Sequence, residues 1–221
     1  MTNPVSPPAE APFPAKPLEL VSPAATRMLF CRARHLAESS SLVHVPFLFW
    51  LVEAVRPQTH VALGVGDAVA YFAVCQAMER IDFGAKSLGF DPRPRDAGGI
   101  APETLQHNEI QYSDMSRLLT SDHSDALGQT RDGEVDLLSV DTGLDHVGMD
   151  QLLDCWAPKL SPRAVVLIHG ATVGEESVLA QKYPAISLEG EKTLLVLLHG
   201  SECDDRIRGL AALAAGHGDF S

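Results

Sequence analysis

Apolar residues in this chain follow two alternating spacings. Short unbroken runs of Val, Leu, Ile and Ala, bounded by Gly, Asp or Pro, are separated by stretches where apolar side chains recur three or four positions apart. The first pattern predicts strands buried on both faces, and the second predicts helices that cover them. Strands are expected at Thr59–Gly64, Ala85–Phe90, Glu109–Tyr112, Val135–Val140, Ala164–His169, Ala185–Leu188 and Thr193–His199. Helices are expected from Ala24 to about Ser40, from Pro46 to Val55, over Val69–Arg80, after Met115, and over Met149–Ala157, Glu175–Lys182 and Asp204–Ala215. Pro46 suits a first helical turn, and Arg56-Pro57 ends that helix. The last two strands follow each other across Glu189-Gly190-Glu191, a hairpin-type connection. The whole predicts an α/β, Rossmann-like fold: a mostly parallel, seven-stranded sheet with an antiparallel C-terminal hairpin.

Residues 1–23 depart from this alternation and hold seven of the fifteen prolines. Such a stretch favours extended conformations and buries too little surface to fold alone. It reads as an arm, residues 24–203 as the α/β domain, and residues 204–221 as a C-terminal helix and tail.

Composition narrows the function classes. With 45% hydrophobic and 21% charged residues, the chain is an ordinary globular protein large enough for one sizeable core. A net charge of −12 argues against nucleic acid and against an anionic membrane surface as partners. No basic pocket stands out from the sequence. Cys31, Cys75, Cys155 and Cys203 form no CxxC pair and read as reduced thiols, Cys75 and Cys155 in apolar helical contexts. No apolar run is long enough to span a bilayer, and no basic-then-apolar signal opens the chain. A cytoplasmic location is the expectation.

In an open parallel sheet, ligands bind beyond the carboxyl ends of the strands. The residues to weigh are therefore Gly64 to Asp67, Asp91, Asp114, Asp141 to His146, and His169 to Thr172. Gly64 and Gly66 permit a tight turn and close backbone approach by a ligand. A dinucleotide loop would place a third glycine where this chain has Val69, which turns the reading from NAD toward S-adenosylmethionine (SAM). Asp91 is placed to accept ribose hydroxyls or, equally, to shape a turn before Pro92. Asp114, with Met115 beside it, is placed next to the adenine, or alternatively caps a helix.

The stretch Phe47-Leu48-Phe49-Trp50-Leu51-Val52-Glu53, followed by Leu63-Gly64-Val65-Gly66-Asp67-Ala68-Val69-Ala70-Tyr71-Phe72, resembles the start of a class I SAM-dependent methyltransferase family associated with bacterial glycosyltransferases. Asp141, Trp156 through Arg163, Val165 through His169, Tyr183-Pro184 and the final hairpin extend the resemblance across roughly residues 43–200. It implies the class I methyltransferase fold, SAM as cofactor, and Gly64, Gly66, Asp67, Asp91, Asp114 and Met115 as the cofactor-facing set. Departures sit at ligand-facing positions. Ala62 stands where the family carries an acid, Ala68 where glycine is common, Leu144 where a histidine is expected, and Gly170 and Thr172 where aspartate and asparagine are expected.

Methyl transfer to a hydroxyl needs a base or a metal. Asp141 is one hard oxygen donor, but Gly170 and Thr172 remove the others, so no metal is expected. Asp141, Asp145 and Asp150 read as a solvated edge. The candidate bases are His146 and His169, with Asp141 completing the catalytic set. Their plainer readings are a solvated loop residue and a strand-end histidine bonded to a backbone carbonyl. Two functions follow: O-methylation of a small-molecule or glycan hydroxyl, or a methyltransferase-like chain without turnover that serves as a binding or assembly module. In the second case the arm and the C-terminal helix, with Ile207, Leu210, Leu213 and Ala214 on one side, are the contact elements for a homo-oligomer. An NAD-dependent oxidoreductase is a distant third.

Overall fold

The computed structural model of the chain describes residues 22–93, 99–141 and 146–216. Residues 1–21 of the proline-rich arm, Leu144, Asp145 and the side chain of His146 lie outside them. Seven strands form one sheet: β1 (Thr59–Leu63), β2 (Lys86–Phe90), β3 (Ser116–Leu119), β4 (Val135–Val140), β5 (Leu160–Ala171), β6 (Ala185–Leu188) and β7 (Thr193–Leu198). The order is β3-β2-β1-β4-β5-β7-β6. The first five strands pair in parallel, and β7 runs antiparallel to both β5 and β6. The expected Rossmann-like sheet with its antiparallel hairpin is therefore observed. The order of strand addition reverses between β1 and β4, which places the ligand crevice above those two strands.

Helices α1 (Pro23–Leu29), α2 (Val45–Val55), α3 (Val69–Ile81) and α8 (Asp205–Gly216) share one core with the sheet. Leu48, Phe49, Leu51 and Met78 meet Leu137, Leu167, Val196 and Ile207 there. Helices α6 (His146–Trp156) and α7 (Val173–Lys182) cover the opposite face. There Met149, Leu153, Trp156 and Leu179 pack on Leu138, Val140, Val166 and Ile168. β1 and β4 are buried at every position, as unbroken apolar runs require. None of the described helices is long and apolar enough to cross a membrane.

Three expectations are corrected. The first helix is α1 alone and ends at Leu29, well short of Ser40. The chain beyond it is tied to α3 by Gln76, whose Oε1 accepts from the Arg34 amide (2.8 Å) and whose Nε2 donates to the Arg32 carbonyl (2.9 Å). Those bonds take the backbone groups a longer helix would need.

Second, Glu109–Tyr112 is the end of α4 (Pro102–Tyr112), and the third strand is β3. The buried stripe of α4 is Thr104, Asn108 and Tyr112, one residue per turn and mostly polar, so hydrophobicity alone misses it. β3 begins with the buried Ser116, which donates to Asn108 Oδ1 (2.5 Å), and it too lacks an apolar run. The helix expected after Met115 comes later, as α5 (His123–Gln129), capped by Asp122. Third, Cys155 is exposed, whereas Cys75 is buried as expected.

Candidate functional site

The end of β1 supplies the centre of the site. Parallel pairing continues one residue past each strand: Gly64 N–H donates to Phe90 O (2.7 Å), Asp141 N–H to Leu63 O (2.8 Å), and Asp91 N–H to Leu119 O (3.0 Å). Register therefore sets Gly64, Asp91, Asp141 and His169 side by side on the carboxyl edge, all on the sheet face that carries α2 and α3.

The two loop glycines do different work. A Cβ on Gly64 (φ +85°) would lie 2.1 Å from the Asp141 carbonyl oxygen, so this glycine lets β1 and β4 close. A Cβ on Gly66 (φ +53°) would meet only Asp141 Oδ2 at 3.4 Å and Arg93 Nη2 at 3.7 Å, so this glycine keeps the crevice open. Ala68 takes a left-handed conformation (φ 62°) as the chain enters α3. Asp67 is exposed; its Oδ1 accepts from the Val69 amide (3.0 Å), and its carbonyl accepts from His35 Nε2 (2.9 Å).

Asp91 is fully buried and its carboxylate is crowded with donors. Oδ2 accepts from the Val65 and Gly66 amides (3.0 and 3.2 Å) and from Arg93 Nη2 (2.6 Å). Oδ1 accepts from Arg93 Nε (2.9 Å) and the Arg93 amide (3.1 Å). A carboxylate offers about four lone-pair sites, so Arg93 and the loop together saturate it. Burial acts to raise this carboxyl, but the Arg93 guanidinium and the three amides outweigh it and hold it at about 2.

Asp141 lies between two cations. Burial raises its carboxyl above the ordinary range, while Lys192 and Arg93 pull the other way. Lys192 comes from the β6–β7 hairpin, its stem 3.5 Å from the Cβ position of Gly170. That hairpin is fixed by His44, whose Nε2 donates to the Lys192 carbonyl (2.9 Å). His169 is half-buried, and burial with the neighbouring His44 lowers its imidazole to about 4, so it is neutral near pH 7. Deeper on the same face, His60 is fully buried between Ser87 Oγ (2.9 Å) and Ser139 Oγ (3.0 Å), and burial lowers it to about 3.

Of the sequence-derived candidates, Gly64, Gly66, Asp67, Asp91, Asp141 and His169 thus gather at one edge. His146 opens α6, and its side chain lies outside the described residues. Asp114 and Met115 precede β3 and stand at the opposite end of the sheet, Asp114 exposed and Met115 packed against the core. Their expected position beside an adenine followed from the misplaced third strand. Sequence reasoning missed Arg93, Lys192, His35 and His44. Arg93 was signalled by its place two residues beyond a strand-end aspartate; the other three are brought in by distant segments. Among the described residues, no three His, Cys, Asp or Glu side chains are grouped to hold a metal.

The solved structures this chain is similar to share the sheet. A methyltransferase from Geobacter sulfurreducens superposes with a TM-score of 0.55 at 16% identity, over 73% of this chain and 80% of that one. A Podospora anserina methyltransferase, solved with S-adenosylhomocysteine bound, gives 0.54 at 14% identity, over 80% and 88%. In sequence, an uncharacterized protein of Sinorhizobium fredii is 35% identical over 190 residues, which is 80% of this chain and 20% of that protein. The chain therefore spans about a fifth of that relative's length. The family profile described as a methyltransferase domain matches residues 61–171, from β1 to the end of β5. Sheet order, glycine loop and sequence match agree, and the chain belongs to the methyltransferase-domain family.

Proposed function

We propose that this chain binds SAM over the Gly64–Asp67 loop and directs its methyl group to a hydroxyl of a small molecule or glycan. The observation that carries this reading is the open face of Gly66 beside two strand-end carboxylates, Asp91 and Asp141, at the reversal point of the sheet. The loop suits close backbone approach by a nucleoside, and Asp91 stands where ribose hydroxyls are held in this kind of sheet. The fit requires one exchange, because Arg93 occupies the acceptor sites of Asp91 that a ribose would use. When bound, SAM supplies an electrophilic methyl group; the chain supplies position and a proton acceptor. Asp141 is that acceptor: burial makes its carboxylate more basic than usual, and Lys192 and Arg93 keep it charged. His169, neutral beside it, is a hydrogen-bonding partner for the acceptor hydroxyl.

Isothermal titration with S-adenosylhomocysteine tests the reading. The expected result is saturable binding that Gly66→Arg abolishes by filling the loop and that Arg93→Met strengthens by freeing Asp91. Absence of heat with both the native chain and Arg93→Met overturns it.

The saturated Asp91 favours a second reading, in which the site has lost turnover and the chain serves as a binding or assembly module. Binding of S-adenosylhomocysteine by Arg93→Met but not by the native chain is the result expected there.

A further inference from the structure

The sequence shows no basic pocket, but the fold builds one. Arg27 of α1, Arg32 just beyond it, Arg56 at the end of α2 and Arg80 at the end of α3 line a single cavity of about 610 Å³. Met28 and Ile81 add apolar surface to its wall, and Phe30, 85% exposed, is part of the same lining. The chain carries 17 Lys and Arg against 29 Asp and Glu, so a cation has many carboxylates to choose from. More than half of the described lysines and arginines do pair with one. These four do not, among the described residues; Arg27 Nε instead donates to the Pro23 carbonyl at 3.3 Å. The single carboxylate in the lining, Glu53, is buried and already paired with Arg206 Nη1 (2.7 Å).

Helix dipoles account for part of this arrangement. Arg56 and Arg80 stand at helix C-termini, where a cation is favoured. Arg27 stands in the last turn of α1 and shares that reason; Arg32 has none, and gathering like charges costs energy unless an anion joins them. Because α3 has thirteen residues, the cavity at its C-terminus lies about 20 Å from the glycine loop at its N-terminus. The two are separate sites.

We propose that this cavity binds a small molecule carrying a diphosphate group. Guanidinium forks match phosphate oxygens in pairs, the concave volume is that of a small-molecule site, and the apolar wall with Phe30 offers a surface to an aromatic or aliphatic remainder of the ligand. The proposal stands independently of SAM binding.

Titration of the full chain with pyrophosphate, ADP and a glutamate-rich peptide in low salt tests it. Pyrophosphate and ADP are expected to bind at one site per chain, ADP more tightly, and both are expected to weaken as salt is raised and charges are screened. In Arg27→Ala/Arg32→Ala, two exposed positions whose loss leaves the core intact, affinity is expected to fall at least tenfold. Arg32→Glu is expected to lose binding, with the melting temperature of each variant confirming its fold. The affinity for S-adenosylhomocysteine is expected to be unchanged in both. No binding of either phosphate compound, equal binding by the variants, or tighter binding of the peptide overturns the proposal; the last result makes the cavity a contact for an acidic protein instead.

Discussion

Gly64 and Gly66 look alike in the sequence and separate at atomic scale. The space for a Cβ at Gly64 is taken by the backbone of β4, which cannot yield without opening the sheet. Gly64→Ala is expected to cost more than about 4 kcal/mol, in the range reserved for core disruption. At Gly66 the neighbours are the ends of two polar side chains, and the cost of Gly66→Ala reduces to the left-handed backbone, about 1–2 kcal/mol. Urea denaturation of the two variants side by side checks the difference. A loop glycine is thus not evidence of ligand binding until its surroundings are known: here Gly64 is explained by packing, and Gly66 is the one left facing a crevice.

At the scale of elements, α8 is held to α2 by one arginine. Arg206 Nη1 donates to Glu53 Oε2 (2.7 Å) and Nη2 to the Ala54 carbonyl (3.1 Å), while Asp204 steadies the same fork from below (3.1 Å). Glu53 is almost fully buried, so removing Arg206 strands a carboxylate in the interior. Breaking such a pair costs several kcal/mol, discounted here because Arg206 is itself 23% exposed; Arg206→Ala is expected to lose about 2–3 kcal/mol. Loss is expected to appear first as faster amide exchange in α8, measurable by hydrogen–deuterium exchange. Ile207 turns into the core and Leu210 packs partly against it, while Leu213 and Ala214 are exposed, so the apolar side anticipated as a contact surface is divided between the core and the surface. The elements that sequence pattern placed poorly, α4 and β3, share one property. Their buried positions include Thr104, Asn108, Tyr112 and Ser116, and Asn108 and Ser116 are satisfied by each other and by backbone. Such pairs are legible only once both elements are in place.

For the molecule as a whole, two neutral histidines, one buried and one half-buried, couple stability to pH. His60 and His169 have folded-state values near 3 and 4, below the ordinary 6.5 of an unfolded histidine. Between pH 6.5 and about 4 the unfolded chain therefore takes up protons that the folded chain cannot. Stability is expected to fall as pH drops through that range, with a slope approaching about 1.4 kcal/mol per pH unit for each histidine, and to be insensitive to these groups above pH 7. Thermal melts from pH 7 to pH 5 check this. His60→Gln is expected to be less stable at pH 7, because the two serines lose their ring partner, yet to show roughly half the slope. A flat profile in the native chain would remove the assignment of both histidines as neutral in the folded state.

What the sequence determined by itself was the sheet. Six of its seven strands, the hairpin and the glycine turn were legible because unbroken apolar runs and Gly-x-Gly carry their reason locally: burial on both faces, and a backbone that must turn. Gly64, Gly66, Asp67, Asp91, Asp141 and His169 were legible as site candidates for the same reason, since a parallel strand presents its ligand at its carboxyl end. Only the tertiary structure decided what those residues can do. It set Arg93 on Asp91, carried Lys192 and His44 to Asp141 and His169 from opposite ends of the domain, moved Asp114 and Met115 to the far edge, and assembled Arg27, Arg32, Arg56 and Arg80 around one cavity. Charge acts through space and not along the chain, so electrostatic partners dozens of residues apart leave no periodic trace for a sequence to show.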